Sequence, residues 1–228
     1  MRLRVIIPKT APRAVARYFF LTLAIACLGV YSYAYLERAL YQIYESREFD
    51  RTADRSAVAA AASTHRIAPI GDVVRASRKS GSSPKLLSPT ALIGRLSVPR
   101  LHLSAMVREG IDRRTLRLAI GHIPATALPG QAGNVGVAGH RDTFFRGLRD
   151  LRTGDEIQFS TLSGDFKYEV ESLTVVEPDD VGVLAPSSDN VLTLVTCYPF
   201  YYVGAAPNRF VVRARQVSPQ TAPPLTVE

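Results

Sequence analysis

The 228-residue chain is 46% apolar and 21% charged, with a formal charge of +8. That composition excludes a disordered polyion and leaves room for one ordinary domain with flanking segments. The excess charge is local: residues 1–17 carry five bases and no acid, residues 37–90 nine bases against six acids, and residues 91–228 fourteen of each. A nucleic-acid binder needs its basic stripe on the folded domain, and a neutral domain excludes nucleic acid as a partner.

In chain order, a basic N-terminus (1–17) precedes 19 uncharged residues, Tyr18 to Leu36. As a helix these span about 28 Å, close to the thickness of a hydrocarbon core. The run is too long for the apolar part of a cleaved signal, so residues 18–36 are expected to be a single-pass signal anchor. The preceding bases put the N-terminus in the cytoplasm and the rest of the chain outside the cell membrane. Ala24-Ile25-Ala26-Cys27 partly resembles a lipoprotein processing site, but the apolar run continues well past the cysteine.

Residues 37–90 are expected to form a helical stalk and then a flexible linker. The first half is rich in helix formers with apolar Leu40, Ile43 and Tyr44, and reads as a solvated extension of the anchor. The second half mixes Ser, Pro, Gly and bases without period, with some local order over 67–74. From 91 to 217 strand signals dominate: Leu92 to Val98, His102 to Val107, Asn134 to Gly139, Glu156 to Leu162, Phe166 to Val176, Val191 to Cys197 and Arg209 to Val217. Two short helical pieces are expected at Asp112 to Ile120 and Arg141 to Leu151. Many short strands between turn signals predict an all-β barrel or sandwich. Residues 218–228 read as a disordered, Pro-containing tail.

Two cysteines are present, Cys27 in the apolar run and Cys197 far downstream. Geometry forbids a disulfide between a membrane interior and an external domain, so Cys197 is the lone thiol of its domain, either a buried small side chain or a reactive one. A thiol nucleophile needs a proton-transfer partner and donors for the oxyanion. Of four histidines, His65 lies in the linker, His102 opens an expected strand, and His122 lies in the GHIPATALPG segment. His140 stands at a strand-to-helix junction after Gly136 and Gly139, where a rigid scaffold presents catalytic side chains. Cys197 ends its strand two residues before Pro199, and Arg209, with its fixed fork of donors, begins the next strand. Arg209 could stabilise an oxyanion or simply pair with a surface carboxylate.

The segments GHIPATALPGQAGNVGVAGHRDTFFRGLRDL and TLVTCYPFYYVGAAPNRFVV, with the order His140, Cys197, Arg209, resemble the sortase family over about Leu92 to Val217. The TLxTC motif is Thr193-Leu194-Val195-Thr196-Cys197, with the arginine twelve residues on. The resemblance implies a closed eight-stranded sortase-type β-barrel with short helices, preceded here by one N-terminal transmembrane helix. It also implies a cysteine transpeptidase that cleaves an LPxTG-like motif after Thr through a thioester. Cys197 would be the nucleophile, His140 the proton-transfer group, Arg209 the oxyanion stabiliser and Thr196 a substrate contact. Implied partners are secreted proteins with a C-terminal LPxTG-like signal and an amine acceptor of the cell envelope or a pilin. No cofactor and no metal is expected, Asp179-Asp180 being too few ligands for calcium.

Class D is the best match, with class E behind it. Residues 37–90 lack the Asp-Pro lid motif of class C, and Glu177 to Asn190 is too short for the extra helix of class B. Two other readings are a membrane-tethered, non-catalytic peptide-binding β-domain and a different cysteine enzyme of the envelope. A papain-like order would place Cys before His.

Overall fold

The computed structural model describes residues 11–64, Ser88 and 90–217. The first ten residues of the basic N-terminus, most of the expected linker with His65 and the 67–74 segment, and the expected tail lie outside the described residues. Residues 1–41 and 42–228 form two compact units.

Helix α1 runs Ala11–Thr64. Pro12 sits in its first turn, where the missing N–H costs no helical bond. Within the first unit, residues 14–36 are exposed throughout. This is one helix long and apolar enough to cross a membrane by length and composition.

The second unit begins with the next turns of α1 laid against a barrel. The barrel strands are β1 (Leu92–Val98), β2 (Leu103–Glu109), β3 (Ile120–His122), β4 (Asn134–Ala138), β5 (Glu156–Thr161), β6 (Gly164–Val176), β7 (Val191–Tyr198) and β8 (Asn208–Val217). They close in the order β1-β2-β3-β4-β7-β8-β6-β5, with β1 pairing β5 to complete the ring. The expected closed eight-stranded barrel with short helices is therefore present. Only β2–β3 and β4–β7 are parallel.

Alternation along each strand sends one set of side chains inward. Leu96, Val98, Val107, Val135, Val137, Ile157, Phe159, Tyr168, Leu192, Leu194 and Val212 fill the interior. Phe145 and Leu148, from the segment after β4, join the same core. Burying apolar side chains of this kind contributes about 1.5–3 kcal/mol each.

Residues 42–50 of α1 differ from the expected solvated extension. Gln42, Glu45, Ser46 and Phe49 share one helical face and are the covered positions, while Ile43 and Tyr44 face outward. Gln42 Nε2 donates to the Leu118 carbonyl at 2.7 Å, and the Met106 amide donates to Gln42 Oε1 at 2.9 Å. Arg95 binds Asp50 at 2.7 Å and the Ser46 carbonyl at 3.2 Å, with its guanidinium 5.2 Å from the Phe49 ring centroid. The docking face is polar apart from Phe49, so hydrophobic periodicity pointed to the opposite side of the helix.

The first expected helical piece is present, and the second is shorter than expected. Helix α2 (Arg113–Leu118) is capped by Asp112, whose carboxylate accepts the amides of Arg114 and Thr115. The second helical piece shrinks to a 3-10 turn, Arg146–Asp150. His102 does not open a strand. It takes a left-handed conformation at the end of a 3-10 turn, Pro99–Leu101. Strand β3 has only three residues, too few to show a period.

Candidate active site

Three neighbouring strands, β4, β7 and β8, converge at one end of the barrel. β7 and β8 are antiparallel, and Cys197 on β7 is the direct register partner of Arg209 on β8. Directly opposed residues on an antiparallel pair share a face, with Cβ atoms about 4.5–5.5 Å apart. Leu192, Leu194 and Thr196 point inward, as their near-complete burial records. Cys197, one residue on, is therefore turned to the outer face and is partly exposed.

β4 runs parallel to β7 with Ala138 opposite Val195. The ladder continues one step past the strand, since the Gly139 amide donates to the Val195 carbonyl at 3.2 Å. His140 follows immediately and is exposed. His140 lies two residues past Ala138, and Cys197 two past Val195, on neighbouring strands. Three of the four expected site residues thus lie at the same ends of adjacent strands.

Thr196 lies elsewhere. It is 2% exposed, and its hydroxyl donates to the Gly139 carbonyl at 2.8 Å. This side chain ties the nucleophile's strand to the residue before His140. Gly139 itself leaves no room for a side chain, because a Cβ there would lie 2.8 Å from the Phe145 ring. Phe145 is completely buried, so it cannot swing away without opening the core.

Arg209 Nη1 donates to the carbonyls of Asn208 at 3.0 Å and Ala206 at 3.4 Å. Among the described residues it makes no ion pair with a carboxylate, which leaves its remaining donors for another acceptor. Beneath the pair, Tyr198, Phe200 and Phe210 pack ring on ring, with centroids 5.3–6.2 Å apart. Such pairs add about 0.5–1.5 kcal/mol each beyond area burial and stiffen the end of β7 where the thiol sits. Cys27 and Cys197 are both free thiols.

The segment after β4 supplies a residue that sequence reasoning passed over. Arg141 is 8% exposed and donates to the carbonyls of Pro199, Tyr202 and Gly204 at 3.0, 2.7 and 3.1 Å. An arginine beside an exposed histidine looks like ordinary surface charge, and carbonyl acceptors leave no mark in a sequence. Arg149 adds a hydrogen bond to the Tyr201 hydroxyl and lies 5.3 Å from that ring's centroid.

His122 is 2% exposed and satisfied inside the fold. Its Nδ1 lies 2.6 Å from Glu109 Oε2 and its Nε2 2.9 Å from the Ala127 carbonyl. Asp180 caps a 3-10 turn by accepting the Gly182 amide at 3.1 Å. A cavity lined by Leu92, Ile93, Leu128 and Phe166 opens where β5 turns into β6. Arg209 pairs with Val176 at the far end of β6, about 30 Å away at strand rise, so that cavity holds none of the four expected residues.

The sortase domain family matches residues 96–217. The chain belongs to the sortase family. It is 33% identical over 126 residues to Sortase D of Bacillus subtilis, covering 55% of this chain and 64% of that relative's length. Among solved structures, it resembles a Sortase D5 transpeptidase of Clostridium perfringens with TM-score 0.51 and 31% identity, covering 55% of this chain and 79% of that one. It also resembles a lid mutant of Sortase A from Corynebacterium diphtheriae with TM-score 0.53 and 30% identity, covering 59% of this chain and 74% of that one. The relatives include class D sortases in both comparisons, in line with the likeness read from the CYPF and GHRDTFFR segments. The end of β1 and all of β2 to β8 fall within the matched region.

Proposed function

We propose that this sortase is a membrane-anchored cysteine transpeptidase acting on an LPxTG-like sorting motif. The observation that carries the reading is the register pairing of Cys197 with Arg209 beside the strand that delivers His140.

The reaction divides into two acyl transfers. The Cys197 thiolate attacks the carbonyl carbon of the motif's Thr, and the C=O electrons move onto oxygen. Arg209 supports that oxyanion with the guanidinium donors its own loop leaves free, and donors fixed beforehand are worth more than water that must reorganise. The C–N bond to Gly then breaks as His140 gives a proton to the departing amine, leaving a thioester on Sγ. An incoming amine attacks the thioester and gives its proton to His140, and the thiolate departs as a new amide forms. Water in place of the amine gives hydrolysis.

Thr196 acts in this scheme through Gly139, holding the backbone that carries His140. Residues 18–36 would anchor the chain with the N-terminus in the cytoplasm and the barrel outside. The substrates would be secreted proteins with a C-terminal LPxTG-like signal, and the acceptor an amine of the envelope or a pilin. The test incubates the full chain in detergent with a quenched LPxTG peptide and triglycine. Cleavage with a ligated product is expected, and turnover that survives Cys197→Ala would remove this mechanism.

A further inference from the structure

The nucleophile and the guanidinium that faces it are joined by a loop with little structure of its own. Among the described residues, the loop between Tyr198 and Asn208 has one internal backbone bond, from the Tyr202 amide to the Pro199 carbonyl at 3.4 Å, a weak one by length. Val203 at its tip is 96% exposed, so packing does not hold that tip either. Three carbonyls of this loop, from Pro199, Tyr202 and Gly204, instead turn toward the guanidinium of Arg141.

Arg141 is bonded directly to His140. Its contact with Asp142, Nε to Oδ1 at 3.6 Å, is to a side chain 73% exposed, and water screens such a pair. The loop carbonyls are therefore its principal partners. The Tyr202 ring lies 6.0 Å from the guanidinium, within reach of a cation–π contact. On its other side the His140 carbonyl accepts the amides of Thr143 and Phe145, both at 3.2 Å. His140 is thus held between a turn rooted in the buried Phe145 and a side chain rooted in the β7–β8 loop.

We propose that Arg141 is a positioning residue of the active site, setting the loop between Cys197 and Arg209 against the segment that carries His140. This inference rests on the transpeptidase reading above. The physical argument is one of donor geometry. Two guanidinium nitrogens in one plane satisfy three carbonyls at once, whereas a lysine ammonium is a single point with a shorter reach. A neutral side chain satisfies none of them. Loss of the clamp leaves the barrel core intact but frees the loop, and a displacement of about 1 Å in a reacting geometry costs about 100-fold in rate.

The test compares the parent, Arg141→Lys and Arg141→Met as full chains in detergent micelles. Steady-state cleavage of a quenched LPxTG peptide with triglycine is measured beside amide hydrogen exchange. For Arg141→Met, kcat is expected to fall about 30–100-fold while KM stays within about threefold. Exchange of the Tyr202 amide, which donates to the Pro199 carbonyl, should quicken at least about tenfold with that of β1, β5 and β6 unchanged, and Arg141→Lys should fall between. The proposal is overturned if kcat and loop exchange match the parent in Arg141→Met. It is also overturned if kcat falls only together with faster exchange throughout the barrel. Should Arg141→Met not fold, Arg141→Lys decides by the same criteria. A parent inactive on the peptide counts against the transpeptidase reading, and loop exchange in the variants still decides whether Arg141 holds the loop.

Discussion

Cys197 and Arg209 face each other as register partners at the open ends of β7 and β8, so the backbone ladder itself sets the spacing of thiol and guanidinium. Side-chain rotamers adjust that spacing only locally. Replacing Arg209 by Ala should therefore lower kcat/KM about 100–1000-fold, the range for removing a preorganised oxyanion donor. Arg209→Lys should recover only part of it, because an ammonium lacks the planar fork. Peptide-cleavage kinetics on variants of unchanged circular dichroism check this.

The Thr196 hydroxyl and the Gly139 carbonyl link the two parallel strands of the site. Thr196→Val keeps the shape and removes the donor, leaving a buried carbonyl unpaired at a cost of about 1–3 kcal/mol. Gly139→Ala should do more damage, since the added Cβ would lie 2.8 Å from the Phe145 ring. Thermal unfolding should rank the parent above Thr196→Val and that above Gly139→Ala. The opposite order would mean that Phe145 yields more easily than its burial implies.

The docked turns of α1 make a separate prediction. Phe49 is 4% exposed against β1 and its neighbours, and Phe49→Ala should cost about 3–5 kcal/mol as buried aromatic truncations do. Gln42→Ala removes two backbone-directed hydrogen bonds, each worth about 0.5–1.5 kcal/mol. Urea unfolding of the full chain in detergent measures both. A soluble version that starts after Thr64 should unfold at lower urea than one that starts before Gln42. Equal midpoints would show that the helix contributes nothing to the barrel.

Acid should weaken one particular clamp. Asp155 accepts from Arg100 at two oxygens, both at 2.6 Å, and from the Arg152 amide at 2.6 Å. The Arg100 guanidinium hydrogen-bonded to it holds its pKa below the ordinary 3.8. A depressed folded value means that this group stabilises the fold fully above about pH 4 and loses that contribution as pH falls further. Asp155→Asn should reduce stability near neutrality and flatten its fall between about pH 4 and pH 2. Identical pH slopes for parent and variant would contradict this.

Much of the site was readable from pattern, and the unreadable parts have physical causes. The β7 run VLTLVTC and the arginine twelve residues on reveal two strands and their tips, because strand and turn signals are local. The inward turn of Thr196 follows only once Leu192 and Leu194 are known to fill the core, since an apolar, Thr-rich strand shows no exposed side. Strand β3 escapes because three residues carry no period. The polar docking face of α1 and the three-carbonyl clamp of Arg141 escape for a common reason. Both depend in large part on backbone donors and acceptors, which nearly every residue possesses and no sequence advertises.

The account stands most directly on a covalent adduct at Cys197. The full chain is incubated with an LPxTG peptide without an amine, quenched in acid, digested and weighed. The account predicts the peptide's acyl part, ending at Thr, on the fragment that contains Cys197. It predicts no such adduct in Cys197→Ala or His140→Ala, and loss of the adduct when triglycine is added. Peptide turnover with Cys197 unmodified, or turnover that persists in Cys197→Ala, would contradict it.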